Sequence, residues 1–561
     1  MTVRARSPRL TPRGAWLAAA PLAFLGVFFV VPTLAILARG AQEALGGSIP
    51  WSRIADATGT TAVLASAATL GSLVLGLPAT WALFRRSWRG ARLAVAAVTV
   101  PFVLPTVVVA AAFRAATRGA AWASEEPGVW LVILAALVFF NIAVVVRIVG
   151  PVWAALDDRT YWAARTLGAS PWRAARTVTL PALSRAIAAA AAAVWLFCST
   201  SFGVVIVIGG GRVATVDTEA WLQTQQFLNL GAAAVLGVLQ IAMVATAFAL
   251  AGLLARRARV APALAAQRDA PRARGARERV VIVAALVPAG ALLALPLVTL
   301  VVRSLTTRDG IGLGNYRLLL TEGALGGSGT TAPQALGTSL VTALAVAVIA
   351  TVLALAMATF IAARPSLAWL HGALLLPLGV SSVVVGLGVL LTLARPAAAL
   401  GPDIGPRLLI PAAHIVVALP LAVSVILPAV RGIDARLLAA AATLGAGPAR
   451  VWRTVQWPLA RRATFMAAGL CAAVSLGEFG ASAFLARPGA QTLPTLMFRL
   501  LGRPGAENVG MAFAIAVILA LATAAIALAA DPSARPARAA SALTSSAQAA
   551  PDRAASAGRL S

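Results

Sequence analysis

Ionisable side chains are rare inside the long apolar runs of this chain, and Glu478 is the clearest of them. It lies in the stretch SLGEFGAS, and a carboxylate within a run of membrane length is costly and hence a candidate for function. Such a group would meet a cationic or metal-bearing molecule on a path between helices, or act as a structural hydrogen-bond partner. Arg147, inside another apolar run, is a second candidate with the same two interpretations.

Catalytic and metal-binding chemistry finds little support in the sequence. Cys198 and Cys471 form no CxxC pair, and His371 and His414 have no partner at metal-ligand spacing. We expect all four to be packing or helix-end residues. The chain contains no lysine, so it cannot carry an ordinary P-loop, in which a lysine reaches the phosphates of the nucleotide. We therefore expect no cofactor, metal or catalytic residue in this chain.

The composition is that of a polytopic membrane protein. Of the 561 residues, 60% are apolar and 11% charged, against about half and about a quarter in soluble domains. Runs of about 20 apolar residues are long enough to cross a bilayer as helices. The sequence predicts an all-α fold with about twelve spans, at residues 16–37, 59–84, 92–113, 129–153, 183–208, 231–254, 280–302, 334–362, 368–393, 407–430, 464–485 and 510–530.

The positions of the arginines predict the orientation of the spans. The net charge is +28, and the arginines are concentrated in short segments between apolar runs, which favours the positive-inside rule over nucleic-acid binding. Both termini and the even-numbered loops are therefore expected in the cytoplasm. The predicted segments are a basic N-terminus (1–14), a first six-helix half (15–254), a cytoplasmic linker (255–279), a second six-helix half (280–530) and a disordered cytoplasmic tail (531–561).

Two similar segments, AARTLGASPWRAARTVTLP and AAATLGAGPARVWRTVQWP, align with each other without a gap. The alignment places Gly168 on Gly445 and Pro181 on Pro458, and we call it the repeat register. Six spans per half give both copies the same orientation, so a parallel repeat is predicted. Each segment is expected to form a helix-turn-helix knob in the cytoplasm, broken at the glycine, with the proline preceding the next span. A basic loop bound to anionic lipid is the alternative.

The spacing of the knobs resembles the EAA loop of bacterial ABC importer permeases: two alanines, a glycine four residues later and a proline thirteen residues after that. Trp162 and Ala439 stand where the family has its glutamate. In that family the loop forms a coupling helix that docks in a groove of the ATPase subunit. The docking elements that the resemblance implies are Ala163, Ala164, Gly168, Pro181, Ala440, Ala441, Gly445 and Pro458.

The fused twelve-span form further resembles the iron(III) and thiamine permeases of this class. The resemblance implies an importer in the bacterial inner or plasma membrane, without enzyme activity of its own. A substrate-binding protein would deliver ferric iron or thiamine, and two copies of an ABC ATPase would bind ATP and Mg. Polyamines and other substrates stay open. The alternative is a secondary transporter with six-plus-six repeats, although the loop FRRSWRGARL lacks the acidic residue of that class.

Two further sets of residues are candidates for the transport path. Ser201 is the counterpart of Glu478 in the repeat register and is assigned to the path with it. Gly209, Gly210 and Gly211 lie at the outer end of the fifth span, where they would form an outer gate or a docking surface for the binding protein. An ordinary tight turn is the alternative for these glycines.

Overall fold

The computed structural model describes residues 16–46, 49–99, 104–257, 275–308, 310–321, 330–401 and 404–530. The predicted N-terminal segment 1–14, most of the linker and the tail 531–561 lie outside these residues. The described part is almost entirely helical, apart from one short hairpin. This agrees with the predicted all-α polytopic membrane fold.

The first half contains twelve α-helices, two π-helical segments and one 3-10 turn within the described residues. In chain order they are α1 (Trp16–Leu25), a π segment (Gly26–Val30), α2 (Val31–Gly46), α3 (Trp51–Phe84), α4 (Ala91–Thr99), α5 (Thr106–Thr117), a 3-10 turn (Ala121–Ser124), α6 (Glu126–Ala154), α7 (Arg159–Thr166), α8 (Pro171–Ala174), a π segment (Ala175–Thr179), α9 (Leu180–Ser199), α10 (Phe202–Gly209), α11 (Val216–Gln225) and α12 (Leu230–Arg257).

The second half begins with a long helix and a two-stranded antiparallel hairpin. Its elements are α13 (Ala276–Leu305), β1 (Thr306–Thr307), β2 (Gly310–Ile311), α14 (Gly314–Thr321), α15 (Ala332–Ala362), a 3-10 turn (Pro365–Leu367), α16 (Trp369–Leu374), a 3-10 turn (Leu376–Gly379), α17 (Ser382–Ala398), α18 (Ile404–Arg431), α19 (Ala435–Thr443), α20 (Pro448–Val451), a π segment (Trp452–Gln456), α21 (Trp457–Gly477), α22 (Gly480–Leu485), α23 (Leu493–Leu501) and α24 (Ala506–Ala530).

Ten helices of the described residues are long and apolar enough to cross a membrane, and each overlaps a predicted span. The predicted spans 183–208 and 464–485 run past the helix ends at Ser199 and Gly477, where short separate helices follow. The two remaining predictions, 92–113 and 368–393, fall on shorter helices. In the second of these, Trp369–Gly379 and Ser382–Ala398 meet at an angle of 89°. Both places read as one apolar run in a hydropathy profile. Among the described residues, Pro105 is the N-cap of α5 and Pro377 lies in the 3-10 turn before α17, and proline disfavours an uninterrupted helix. The expected count of about twelve continuous spans therefore becomes ten, or eleven if the bent pair is one span.

Each of the three π segments is followed, two positions after its end, by a proline. The pairs are Gly26–Val30 with Pro32, Ala175–Thr179 with Pro181, and Trp452–Gln456 with Pro458. Proline has no N–H and its ring crowds the carbonyl four residues earlier. Wider i→i+5 spacing before the proline accommodates both effects without breaking the helix. The chain thus remains helical through the prolines.

Small residues allow close approach between the long helices. Cβ atoms added at Gly71 and Gly76 of α3 would come within 2.9 Å of Val138 and Val145 of α6. Helix association in a bilayer depends on such close packing, because lipid tails are as apolar as the side chains. The α3–α6 pair therefore forms a tightly packed part of the first half.

The first helices of the two halves cross over. Helix α1 packs against α15 of the second half, and α2 packs against α17. In the same way α13 packs against α3 and α5 of the first half. Each half thus contributes its first span to the surface of the other.

Candidate functional site

The first knob is formed by α7 and a left-handed turn at its end. The N–H of Ala169 donates to the carbonyl of Ala164 at 3.1 Å, and the N–H of Gly168 donates to that of Arg165 at 3.1 Å. These are the two hydrogen bonds of a Schellman motif, which needs a residue of positive φ at the glycine position. Gly168 has φ +84°, and the space around its Cα is open. The glycine is required by the backbone conformation of this turn.

The second knob repeats this geometry at the end of α19. The N–H of Ala446 donates to Ala441 at 3.1 Å and the N–H of Gly445 donates to Ala442 at 3.0 Å, with φ +74° at the glycine. No atom of the described residues lies within 4 Å of a Cβ built on Gly445. Two segments far apart in sequence therefore fold into the same turn, and the carbonyl of the second alanine of each pattern, Ala164 or Ala441, accepts one of the two hydrogen bonds that close it.

The segment after the first turn differs from the prediction in one respect. Ser170 caps α8, its hydroxyl accepting the N–H of Arg173 at 3.2 Å. A continuous helix then runs from Pro171 to Ser199. Pro181 lies in the first turn of α9 instead of preceding the span, and Pro458 occupies the same place in α21. The π segments explain the difference, because they carry the helix past each proline.

Large apolar side chains are exposed on both knobs. Leu167 and Leu444, each just before the glycine, are 88% and 87% exposed. Trp162 and Trp172 of the first knob and Leu437 of the second are also exposed. A cluster of exposed apolar side chains is typical of a protein–protein contact surface.

Arg85 attaches the first knob to the end of α3. Its guanidinium pairs with the carboxylate of Asp158 and lies 3.3 Å from the carbonyl oxygens of both Trp153 and Leu156. Burial and the neighbouring Arg86 lower the pKa of Arg85, but an arginine remains charged at neutral pH. The second half has alanine at the corresponding position after α15, so this attachment belongs to the first knob.

Four aromatic rings meet where the two halves join. Phe202 and Phe479 stack with their centroids 5.3 Å apart and their planes within 16°. Trp221 lies 5.8 Å from Phe498, and these two rings flank the stack at 6.3 Å from Phe202 and 5.2 Å from Phe479. We call these four residues the aromatic quartet. In the repeat register Phe202 corresponds to Phe479 and Trp221 to Phe498, so the quartet is formed equally by both halves.

Glu478 lies at the end of α21, one residue before Phe479 of the aromatic quartet. Its carboxylate accepts the N–H of Ala481 at 3.2 Å and interacts with the side chain of Ser382 at the start of α17. Ser201, its predicted counterpart, occupies the same place before α10. Both residues thus lie beside the junction of the halves, although only one of them carries a charge.

Asp217 of α11 was not predicted as a site residue, and the structure places it close to the same region. Its side chain is 1% exposed, and its Oδ2 accepts the hydroxyl of Ser381 at 2.6 Å. Among the described residues, neither its Oδ1 nor Nε1 of Trp221, one turn later, has a hydrogen-bond partner. The sequence signal was weak, because Asp217 lies in a polar segment that resembles an ordinary loop.

The remaining predicted residues lie apart from this cluster. Arg147 is exposed on α6, although the residues just before it are buried. Gly209 is buried at the end of α10, and Gly210 and Gly211 follow it in a left-handed turn with φ of +56° and +85°. The glycines thus form a tight turn, and their assignment to an outer gate stays a prediction.

His414 and the cysteines are compatible with packing roles, and His371 lies in the last turn of α16. His414 lies between the hydroxyls of Ser475 and Ser482, at 2.9 and 2.8 Å. Cys198 and Cys471 are buried and unpaired. Among the described residues no three His, Cys, Asp or Glu side chains are grouped so that they could hold a metal ion.

Comparisons with known proteins identify the family. A model of the binding-protein-dependent transport system inner membrane component family matches residues 72–260. The molybdenum transport system permease protein of Escherichia coli (strain K12) is 36% identical over 174 residues, which are 28% of this chain and 73% of the relative. This chain belongs to that permease family. The family implies a membrane location and ATPase and binding-protein partners, and it removes the alternative of a secondary transporter.

Other relatives extend the likeness along the chain. The thiamine transport system permease protein of Brucella abortus (strain 2308) is 26% identical over 412 residues, covering 72% of this permease and 71% of the relative. The sulfate transport system permease protein of Escherichia coli (strain K12) is 29% identical over 251 residues, covering 42% and 90%. These relatives are transport permeases, and this chain is likewise a transport protein and not an enzyme.

Proposed function

We propose that this permease is the complete membrane pathway of an ATP-driven importer, with its two halves acting as parallel repeats. Helices α7 to α12 have counterparts in α19 to α24, in the same order and with starting positions that agree closely in the repeat register. Repeats in the same orientation form one path along their pseudo-two-fold axis. On this proposal both termini and both knobs face the cytoplasm, as the arginine distribution predicts.

The two knobs are the proposed docking sites for two ATPase subunits, which bind the ATP and Mg. The observation that carries this proposal is the pair of matching turns, each presenting an almost fully exposed leucine, Leu167 or Leu444. Exposed apolar side chains of this size favour burial in a partner. Movement of the ATPase subunits would then pass directly into the membrane, because α8 continues through the π segment into α9.

The proposed cargo is thiamine or ferric iron, delivered to the outer face by a binding protein. The likeness to a thiamine permease over most of both chains supports the first substrate. The negative charge of Glu478 beside the junction of the halves supports a cationic cargo of either kind. Polyamines are a further candidate class on the same electrostatic ground.

Docking can be tested with the substitution of Leu167 and Leu444 by aspartate in one chain. We expect this variant to lose co-purifying ATPase subunits and ATP-dependent uptake, because a buried carboxylate without a partner is costly. Leu45, 91% exposed at the end of α2 away from the knobs, is the matched control for the same substitution. Retention of the ATPase by the double variant, or equal loss in Leu45→Asp, would contradict the proposal.

A further inference from the structure

We propose that this permease binds a small organic cation at the junction of its halves, between the carboxylates of Glu478 and Asp217 and the rings of the aromatic quartet. The inference rests on the importer function proposed above and names the class of cargo that its path would take. It selects an organic cation over ferric iron and over the anions named for some of the relatives.

The two carboxylates converge on one short segment of chain. Asp217 accepts the hydroxyl of Ser381 at 2.6 Å, and Glu478 interacts with the side chain of the next residue, Ser382. This segment is the break between the two parts of the bent span, at the start of α17. Asp217 belongs to the first half and Glu478 to the second. A ligand between the halves would therefore meet both negative charges.

Neither carboxylate is neutralised by an arginine in the part of the chain that the structure describes. The contrast with Glu219, two positions from Asp217, is informative. Glu219 is equally buried, yet it pairs with Arg53 at 2.9 Å and accepts the amide of Gln223 at 2.6 Å. An unpaired buried carboxylate is strongly disfavoured. Asp217 is hydrogen-bonded through Oδ2 to Ser381, but no described residue pairs with its Oδ1, so this oxygen is available to a ligand.

The nearest arginine in sequence to Glu478 is also engaged elsewhere. The guanidinium of Arg487 donates to the carbonyls of Phe484 and Ala486, both at 3.1 Å. These bonds hold the guanidinium at the far end of α22 from Glu478. A positively charged ligand would therefore not compete with this side chain for the two carboxylates.

The aromatic quartet defines the shape and charge type of the ligand. Aromatic ring faces attract cations, and they are most effective for organic cations that carry little hydration. The near-parallel rings of Phe202 and Phe479 would bind the two sides of a flat cationic ring when the halves move apart. The indole N–H of Trp221, which no described residue accepts, offers one hydrogen bond to an acceptor on the same ligand. In the present structure the rings contact one another, so the site is closed.

Other cargo classes fit these groups less well. A ferric ion requires several oxygen, nitrogen or sulfur ligands, and no group of three such acidic, cysteine or histidine side chains occurs among the described residues. Sulfate or molybdate would be repelled by the two carboxylates. A flat organic cation uses both the charges and the ring faces.

The test is titration of the permease–ATPase complex in lipid nanodiscs with thiamine, and with a neutral analogue in which an uncharged triazole replaces its cationic ring. Binding is measured by calorimetry and by the fluorescence of Trp221, with Trp221→Phe as the fluorescence reference. We expect the cation to bind at least about tenfold more tightly than the neutral analogue. Equal binding of both, or binding of neither, would overturn the proposal.

Matched variants locate the site. Glu478→Gln and Asp217→Asn keep side-chain shape and should each weaken cation binding about tenfold. Glu507→Gln, at an exposed ion pair with Arg308, should leave binding unchanged. If Asp217→Asn does not fold, cation binding by the Glu478→Gln variant alone decides the outcome, because Glu478 is partly exposed. Undiminished cation binding in Glu478→Gln would refute the site, whereas ATPase co-purification in the same samples reports separately on the importer proposal.

Discussion

Replacing Gly168 and Gly445 by alanine should weaken the attachment of the ATPase subunits through backbone strain alone. The two residues have φ of +84° and +74°, and a Cβ added at either would contact nothing within 4 Å in the part of the chain that the structure describes. A non-glycine residue in the left-handed region costs about 1–2 kcal/mol. If the variant turn relaxes in the free permease and must be restored on docking, each substitution weakens docking about 5- to 30-fold.

The two knobs are separate, so their effects should add to about 2–4 kcal/mol in the double variant. The assay is the affinity of purified ATPase subunits for the permease in nanodiscs, with hydrogen exchange over residues 159–174 reporting the turn itself. Gly447→Ala is the matched control. That residue is two positions beyond Gly445, is also uncrowded and has φ −66°.

Substitution of Gly168 by asparagine distinguishes backbone strain from steric exclusion of the ATPase as the cause of weaker docking. Asparagine tolerates the left-handed region better than alanine but is larger. If φ is what matters, Gly168→Asn should dock more tightly than Gly168→Ala. The reverse order would show that the ATPase approaches the glycine closely, and an unchanged affinity in both variants would refute the strain argument.

Two further predictions concern the knobs. Arg85→Ala should reduce uptake coupled to ATP hydrolysis, because it removes the bonds that hold Asp158 and the first knob to α3. Arg364→Ala removes a stacking contact with a neighbouring ring and should not reduce uptake. Equal uptake by both variants in proteoliposomes would contradict this prediction. A cysteine at Leu45 should react with a membrane-impermeant maleimide added to intact cells and a cysteine at Leu167 should not, and the reverse pattern would invert the proposed topology. The native cysteines are buried and give little background.

The sequence allowed good prediction of features that depend on local backbone chemistry. The helix break at Gly168 and the cap at Ser170 follow from residue type alone, and the structure contains both. The prediction that Pro181 precedes the next span was wrong because a π segment lets a helix continue through a proline. Hydropathy does not show whether backbone hydrogen bonds have α-helical or π-helical spacing. The bent span at Ser382 was missed for the same reason, since both parts of it are apolar.

The site at the junction was predictable only in part. Glu478 stood out because charge is rare in an apolar run. Asp217 did not, because its burial depends on the fold of α11 between the halves. Phe202 and Phe479 were visible as matching positions of the two segments, but their stacking is a tertiary contact between the two halves of the chain that no local pattern specifies.

The crossing of the first helices has a consequence for how this protein is made. Helix α1 begins at Trp16, whereas its partner α15 begins only at Ala332 and leaves the ribosome much later. At about 5–20 residues per second, α1 waits roughly 15–60 s in the membrane without that neighbour. Its interface must be shielded during that time by lipid or by the insertion machinery. A permease split between residues 257 and 275 should therefore accumulate only when both pieces are synthesised together, since each piece lacks the helix that completes it.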